Sequence, residues 1–278
     1  MARQTVRFPN AAGEHLAGIL ETPDGRSPRA CALFAHCFTC TKNIRAAAQI
    51  SAALVERGIA VLRFDFTGLG ESEGDFGGSG FSSNVDDLVA AAEYLEREWE
   101  APALLIGHSL GGTAVLMAAE RIASATAVAT RGAPAQAAHV QHHFAESVDE
   151  IRERGSATVD IGGRPFQLRR EFIDDLDAQP VQLRLKDLGK ALLVMHSPVD
   201  TIVGIDNASE VFASAMHPKS FVSLDRADHL LGEPADATYA ANVIASWAER
   251  YLPEETRHTT EANEGEVLAV TGSQGYHT

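Results

Sequence analysis

Cysteine is scarce in this chain, three in 278 residues, and so small and odd a count does not make the disulfide framework that staples small secreted domains. Three free thiols in a reducing compartment are expected. Basic residues are also short: 23 Lys and Arg against 38 Asp and Glu give a formal net charge of −15. That field repels phosphate backbones and anionic lipid, which argues against nucleic acid or a membrane surface as a partner. The opening MARQTVRFPN has no apolar stretch of the secretory kind, and a cytoplasmic location is expected.

Long hydrophobic runs are missing with one exception. APALLIGHSLGGTAVLMAA, 101–119, carries no formal charge over 19 residues, a length that could span a bilayer. Its middle holds His108, Ser109 and the Gly111-Gly112 pair, polar and flexible groups that lipid does not satisfy. A buried strand running into a buried helix is the better reading. A phosphate-binding glycine fingerprint is missing too. In FDFTGLGESEG, 64–74, Glu73 stands where the third glycine belongs, and Glu71, Glu73 and Asp75 would repel an anion. This reads as a tight loop at a sheet edge.

What is present is the alternation of a parallel α/β domain. Hydrophobic residues make up 45% and charged residues 22%, ordinary for one sizeable core. After an antiparallel pair at about 3–9 and 15–21, strand candidates follow at 31–35, 59–65, 103–107, 126–130, 191–196 and 220–224. They are continuous apolar runs, as strands covered by helices on both faces must be. Helical patterns lie at 43–57, 83–99, 110–123, 206–216 and 236–251. The expected fold is therefore α/β, a mostly parallel sheet with an N-terminal antiparallel pair and helices on both faces.

Residues 134–188 break the pattern. Val140, Phe144, Val148 and Ile151 share a helical face, and ATVDIGGRPFQL reads as a hairpin turning at Gly162-Gly163. An excursion at the carboxyl ends of the strands is placed to cap a crevice. Residues 1–253 thus read as one domain with a cap insertion. Beyond Pro253 a polar stretch reads as an acidic linker, 254–278, whose EVLAVTG has a strand-like start with nothing after it to pair, either a frayed tail or the entrance to another domain.

Gly107-His108-Ser109-Leu110-Gly111 fits G-x-S-x-G with a buried strand before it and an apolar helix after it, the context that gives this pattern meaning. The sharp strand-to-helix turn would lift the Ser109 hydroxyl above the carboxyl edge of the sheet. Serine needs a base to take its proton and a carboxylate to orient that base. In this arrangement the chain order is serine, acid, histidine. Asp200 follows the strand at 191–196 and His229 the strand at 220–224, so both emerge at the edge that carries Ser109. Asp206 reads as a helix cap, and Asp225 and Asp228 sit on the histidine's own loop. His196 ends a strand and His217 precedes Pro218. His139, His142 and His143 cluster on the cap helix without neighbouring carboxylates to complete a metal site. No metal and no cofactor are expected.

HCFT after one strand, RFDFTGLGESEG after the next, GHSLGG, SPVD and ADH together resemble the α/β-hydrolase superfamily, from about residue 3 to 253. They look most like small serine esterases of the cinnamoyl or short-acyl type, which carry His-Gly-Phe-Thr where this chain has His36-Cys37-Phe38-Thr39. The resemblance implies an oxyanion hole made by the backbone N–H groups of Phe38 and Leu110, and a small acyl ester or thioester as substrate. Cys37 in the glycine place puts in doubt any backbone conformation there that needs positive φ. HCFTC and the acidic linker further resemble the hydrolase half of proteins fused to an OsmC-type thiol peroxidase domain. On that likeness a C-terminal thiol peroxidase domain would be a covalent partner.

Two other readings compete. Cys37-x-x-Cys40 shortly before the helix at 43 has the spacing of a dithiol redox centre. The fold could also serve as a non-catalytic binding module.

Overall fold

The computed structural model describes residues 1–161 and 163–253. Its centre is an eight-stranded sheet. The strands in chain order are β1 (Ala2–Pro9), β2 (His15–Thr22), β3 (Ala30–Ala35), β4 (Ile59–Phe64), β5 (Pro102–His108), β6 (Ala127–Arg131), β9 (Ala191–His196) and β10 (Lys219–Ser223), with β7 (Ser156–Ile161) and β8 (Arg164–Arg169) forming a separate hairpin. Across the sheet the order is β1-β2-β4-β3-β5-β6-β9-β10. β2 runs antiparallel to both β1 and β4, and every pair from β4 to β10 is parallel. The expected α/β architecture is therefore the one found.

The continuous apolar runs have a simple cause. Along β3, Cys31, Leu33 and Ala35 enter one core while Ala30, Ala32 and Phe34 enter the other. Both faces are covered, so neither parity of the strand can be polar. One core is built with α2 (Phe81–Glu98), α3 (Leu110–Ala118) and α7 (Asp206–Ser214), the other with α1 (Arg45–Glu56) and α8 (Pro234–Ala248). Within α2, Val85, Leu88, Ala92 and Leu95 are buried and Val89 is partly buried on the same core.

The insertion contains more helix than its sequence suggests. The expected single helix is split into a 3-10 segment, Ala137–Phe144, and α4 (Ala145–Arg154); of its expected face Val140, Phe144 and Ile151 are buried and Val148 is partly buried. The β7–β8 hairpin is present, and Gly163 takes φ +79° at its turn; Gly162 lies outside the described residues. Two short helices, α5 (Arg170–Asp177) and α6 (Val181–Lys186), have no counterpart in the sequence pattern. Each is too short for a strong helical period to emerge from sequence. Leu168, Phe172, Ile173 and Leu176 nevertheless join the same core as α2 and α3, so the insertion packs continuously with the main domain. The linker and the EVLAVTG segment lie outside the described residues. No helix among the described residues is long and apolar enough to cross a membrane.

Candidate active site

Ser109 sits between β5 and α3 with φ 54° and ψ −129°, a left-handed conformation that costs an L-residue about 1–3 kcal/mol. The turn is held from both sides: Ser109 N–H donates to Arg131 O at 2.9 Å, and its own carbonyl accepts from Gly112 N–H at 2.8 Å. The flanking glycines are steric necessities. A Cβ on Gly107 would fall 2.5 Å from Gly112 Cα, and one on Gly111 would fall 2.6 Å from Ala35 O. The helix can therefore start directly beneath strands β3 and β5 only if both positions are bare.

Asp200 and His229 emerge from the loops after β9 and β10 and meet. His229 Nδ1 lies 2.7 Å from Asp200 Oδ2. The other carboxylate oxygen accepts the Ile202 and Val203 N–H groups at 2.8 and 2.9 Å. Burial would raise the Asp200 pKa, but the His229 bond and these backbone donors outweigh it and hold the carboxyl below its ordinary value. Gly132, just past β6, lies against the pair: a Cβ there would be 3.2 Å from His229 Cε1 and 3.3 Å from Asp200 Oδ2. Ser109 is almost buried, at 7% exposure, and among the described residues no hydrogen bond joins its hydroxyl to His229. Such links commonly tighten only when substrate binds.

The rival candidates are occupied elsewhere. Asp206 begins α7. Asp228 accepts the Leu230 and Gly232 N–H groups and shapes the turn that presents His229. Asp225 bonds Ser223. His196 is wholly buried, directs Nε2 to Val203 O at 2.7 Å, and stands 3.8 Å from Asp200 Oδ2; burial pushes its pKa down. On the cap, His139 and His142 pack edge to face at 4.8 Å, and His139 Nε2 reaches Ile202 O at 3.3 Å. Among the described residues no three His, Cys, Asp or Glu side chains gather as a metal site.

Two groups that sequence reading missed hold the histidine loop from below. Arg131 Nη1 donates to His229 O at 2.6 Å, and His108 Nε2 lies 2.9 Å from the same oxygen. A carbonyl only accepts, so His108 must carry its proton on Nε2. Both side chains are buried, which drives the His108 pKa well below the ordinary histidine value and pushes the Arg131 pKa down to about 9. The only sequence signal was a charged residue closing an apolar strand.

Phe38 N–H and Leu110 N–H have no acceptor among the described residues. The loop bearing Phe38 is fixed at both ends. His36 is buried, with Nδ1 bonded to Cys37 O at 2.8 Å and Nε2 accepting the Phe66 N–H at 3.3 Å. At the far end Lys42 N–H donates to Asp65 Oδ1 at 2.6 Å, while its buried ammonium spans Asp65 and Glu71 at 2.5 Å each. As its Cβ implied, Cys37 does not take positive φ; Thr39 does, at 57°, so the strain falls two residues later. One expectation about this loop fails: Cys37 and Cys40 are not free thiols but form a disulfide, with Cα atoms 5.2 Å apart. The odd cysteine count hid this because the unpaired residue is Cys31, buried in β3.

Above the loop, aromatic rings converge. Phe38 lies 5.5 Å from Phe76, 6.3 Å from Phe144 and 5.9 Å from Phe172, ring centre to ring centre. The last two come from the insertion, so the insertion and the loop bearing Phe38 share one aromatic cluster. Beside it is a cavity of about 10 Å³ lined by Phe38, Phe66, Phe76, Leu110, Ala114 and Asn84, among others. Asn84 is 6% exposed, and its Nδ2 has no partner among the described residues.

A parallel sheet with a strained serine between β5 and α3, and a histidine–carboxylate pair on the last two strand loops, defines an α/β-hydrolase. Comparison with known proteins agrees: the chain belongs to the α/β-hydrolase superfamily. Its structure is similar to the crystal structure of the esterase domain of a Rhodothermus marinus protein, with 46% identity, 91% of this chain and 100% of that one covered, and a TM-score of 0.75. Est1E from Butyrivibrio proteoclasticus, solved with ferulic acid, shares the fold at 18% identity, with 88% and 98% covered and a TM-score of 0.73. A family model described as serine aminopeptidase, S33, matches residues 26–160. Among curated proteins, the uncharacterised YfhR of Salmonella typhimurium is 24% identical over 231 residues, 82% of this chain and 74% of that protein.

Proposed function

We propose that this hydrolase cleaves small carboxylic esters or thioesters through an acyl-enzyme on Ser109. The observation that carries the reading is the 2.7 Å bond between His229 Nδ1 and Asp200 Oδ2, on the sheet edge where Ser109 is held at φ 54°. Ser109 Oγ attacks the acyl carbonyl while His229 Nε2 accepts its proton. Asp200 keeps the Nδ1 proton in place and stabilises the imidazolium that forms. The developing oxyanion is met by the Phe38 and Leu110 N–H groups, fixed donors that cost no reorganisation. His229 then protonates the leaving group, and water, deprotonated by the same histidine, releases the acid.

The aromatic cluster leaves little space beside the oxyanion loop. A cavity of about 10 Å³ corresponds to roughly one water molecule, which favours short acyl chains over cinnamoyl ones. The likeness to a structure described as an esterase domain supports the ester reading.

The test is labelling with a fluorophosphonate probe followed by hydrolysis of p-nitrophenyl acetate, p-nitrophenyl cinnamate and an aminoacyl p-nitroanilide. The expected result is labelling on Ser109 alone, loss of both signals in Ser109→Ala, and acetate turned over fastest. Faster cleavage of the anilide would replace the ester reading with a peptidase one, and a folded protein that takes no label would remove the serine mechanism.

A further inference from the structure

We propose that Cys37 and Cys40 are a thiol–disulfide exchange site whose redox state sets the geometry of the oxyanion loop, and that its reaction partner is a dithiol. This rests on the serine-hydrolase reading only for its effect on turnover. The ring closed by the disulfide contains two residues, Phe38 and Thr39. One supplies the N–H assigned to the oxyanion; the other holds φ 57°, a conformation a β-branched residue adopts only under constraint. A Cys40 N–H to Cys37 O bond of 3.1 Å closes the same turn. One hydrogen bond is a weak clamp for a strained residue, so the covalent bridge is what keeps Phe38 N–H pointing where it does.

The two sulfurs differ in access. Cys37 is 5% exposed and lines the cavity beside Leu110, whereas Cys40 is half-buried. An incoming thiolate therefore attacks Cys40 Sγ. The S–S bond breaks, Cys37 leaves as a thiolate and takes a proton, and a mixed disulfide remains on Cys40. The second thiol of the reductant, deprotonated, attacks its own sulfur in that mixed disulfide and frees Cys40. Two electrons pass to the protein and the reductant leaves as its disulfide. The anchors at His36 and Lys42 remain, so only residues 37–41 gain freedom and the fold persists.

Reduction is expected to lower kcat for p-nitrophenyl acetate about tenfold with little change in KM. The bound is the ~10²–10³-fold that loss of one oxyanion donor costs. The experiment uses the full chain, oxidised in air or reduced with dithiothreitol and freed of it, with native thiol counting by an alkylating dye beside the kinetics. The dye is expected to find no thiol before reduction and two after, since Cys31 is buried, its thiol pushed up to about 12. Cys37→Ser/Cys40→Ser should match the reduced enzyme and ignore dithiothreitol. Two reactive thiols in the air-oxidised protein, or none after dithiothreitol, overturn the exchange site. Equal kcat in the two redox states, or an equal response in the double variant, overturns the coupling. If neither state takes a fluorophosphonate label, the hydrolase reading and the coupling fall together, while the thiol count still decides whether the pair exchanges.

Discussion

Replacing Asp200 with Asn tests the site most directly, because the structure separates what the substitution keeps from what it removes. The amide oxygen can still accept the Ile202 and Val203 N–H groups now held by Oδ1, so the loop should keep its shape. The amide nitrogen would then face His229 Nδ1 at the position where Oδ2 stands at 2.7 Å. Two donors would oppose each other, and the imidazole must place its proton on Nε2, where it can no longer accept one from Ser109. The lost charge matters as well. An imidazolium and a carboxylate about 4 Å apart, at an effective dielectric of about 20, attract by about 4 kcal/mol, or roughly a thousandfold in rate. Adding the wrong tautomer gives an expected loss of about 10³- to 10⁴-fold in kcat. KM should change far less. Steady-state hydrolysis of p-nitrophenyl acetate, with circular dichroism melting as the fold control, reads the outcome. A folded Asp200→Asn enzyme with more than about a tenth of wild-type kcat would refute the assignment. The pH dependence has a definite sign. The folded carboxyl titrates below its ordinary 3.8, so the stability it contributes is present above that pH and is lost as pH falls through the lower, folded value.

Three further outcomes are expected. Arg131→Met removes one of the two donors on His229 O; kcat should fall about 10- to 100-fold with KM nearly constant in the same kinetic assay. Gly107→Ala puts a methyl 2.5 Å from Gly112 Cα with no flexible side chain to yield, and urea titration should show a loss above about 3 kcal/mol or no soluble fold. Asp87 is buried against Thr67 and Asn10, and burial pushes its pKa up to about 6 from 3.8. A raised carboxylate contributes stability that is full below 3.8 and lost as pH rises through about 6. The difference of about 2.2 in pKa corresponds to about 3 kcal/mol, so Asp87→Asn should gain on wild type by up to that amount between pH 3.5 and 7.5 in urea denaturation.

Much of the site was legible before any coordinates. Ser109, Asp200 and His229 each follow an apolar strand, and loops after parallel strands must emerge at the same edge. The meeting of Asp200 with His229 follows from that rule and the order of the loops. The insertion was legible only as an interruption. Its helices α5 and α6 have eight and six residues, and they are helical because Phe172, Ile173 and Leu176 find a core, which local sequence does not display.

Sequence by itself determined the sheet, the faces its strands must bury and the edge at which the chemistry is gathered, because each depends on periodicity and on neighbours along the chain. Tertiary structure alone decided the rest. Arg131 and His108 grip the His229 carbonyl across 98 and 121 residues of sequence, and such contacts depend on distances that no local pattern encodes. The Cys37–Cys40 pair shows the same limit at short range. Whether a C-x-x-C loop is a dithiol or a closed ring depends on how near the fold brings its two ends, here Cα atoms 5.2 Å apart, a distance that the spacing alone does not give.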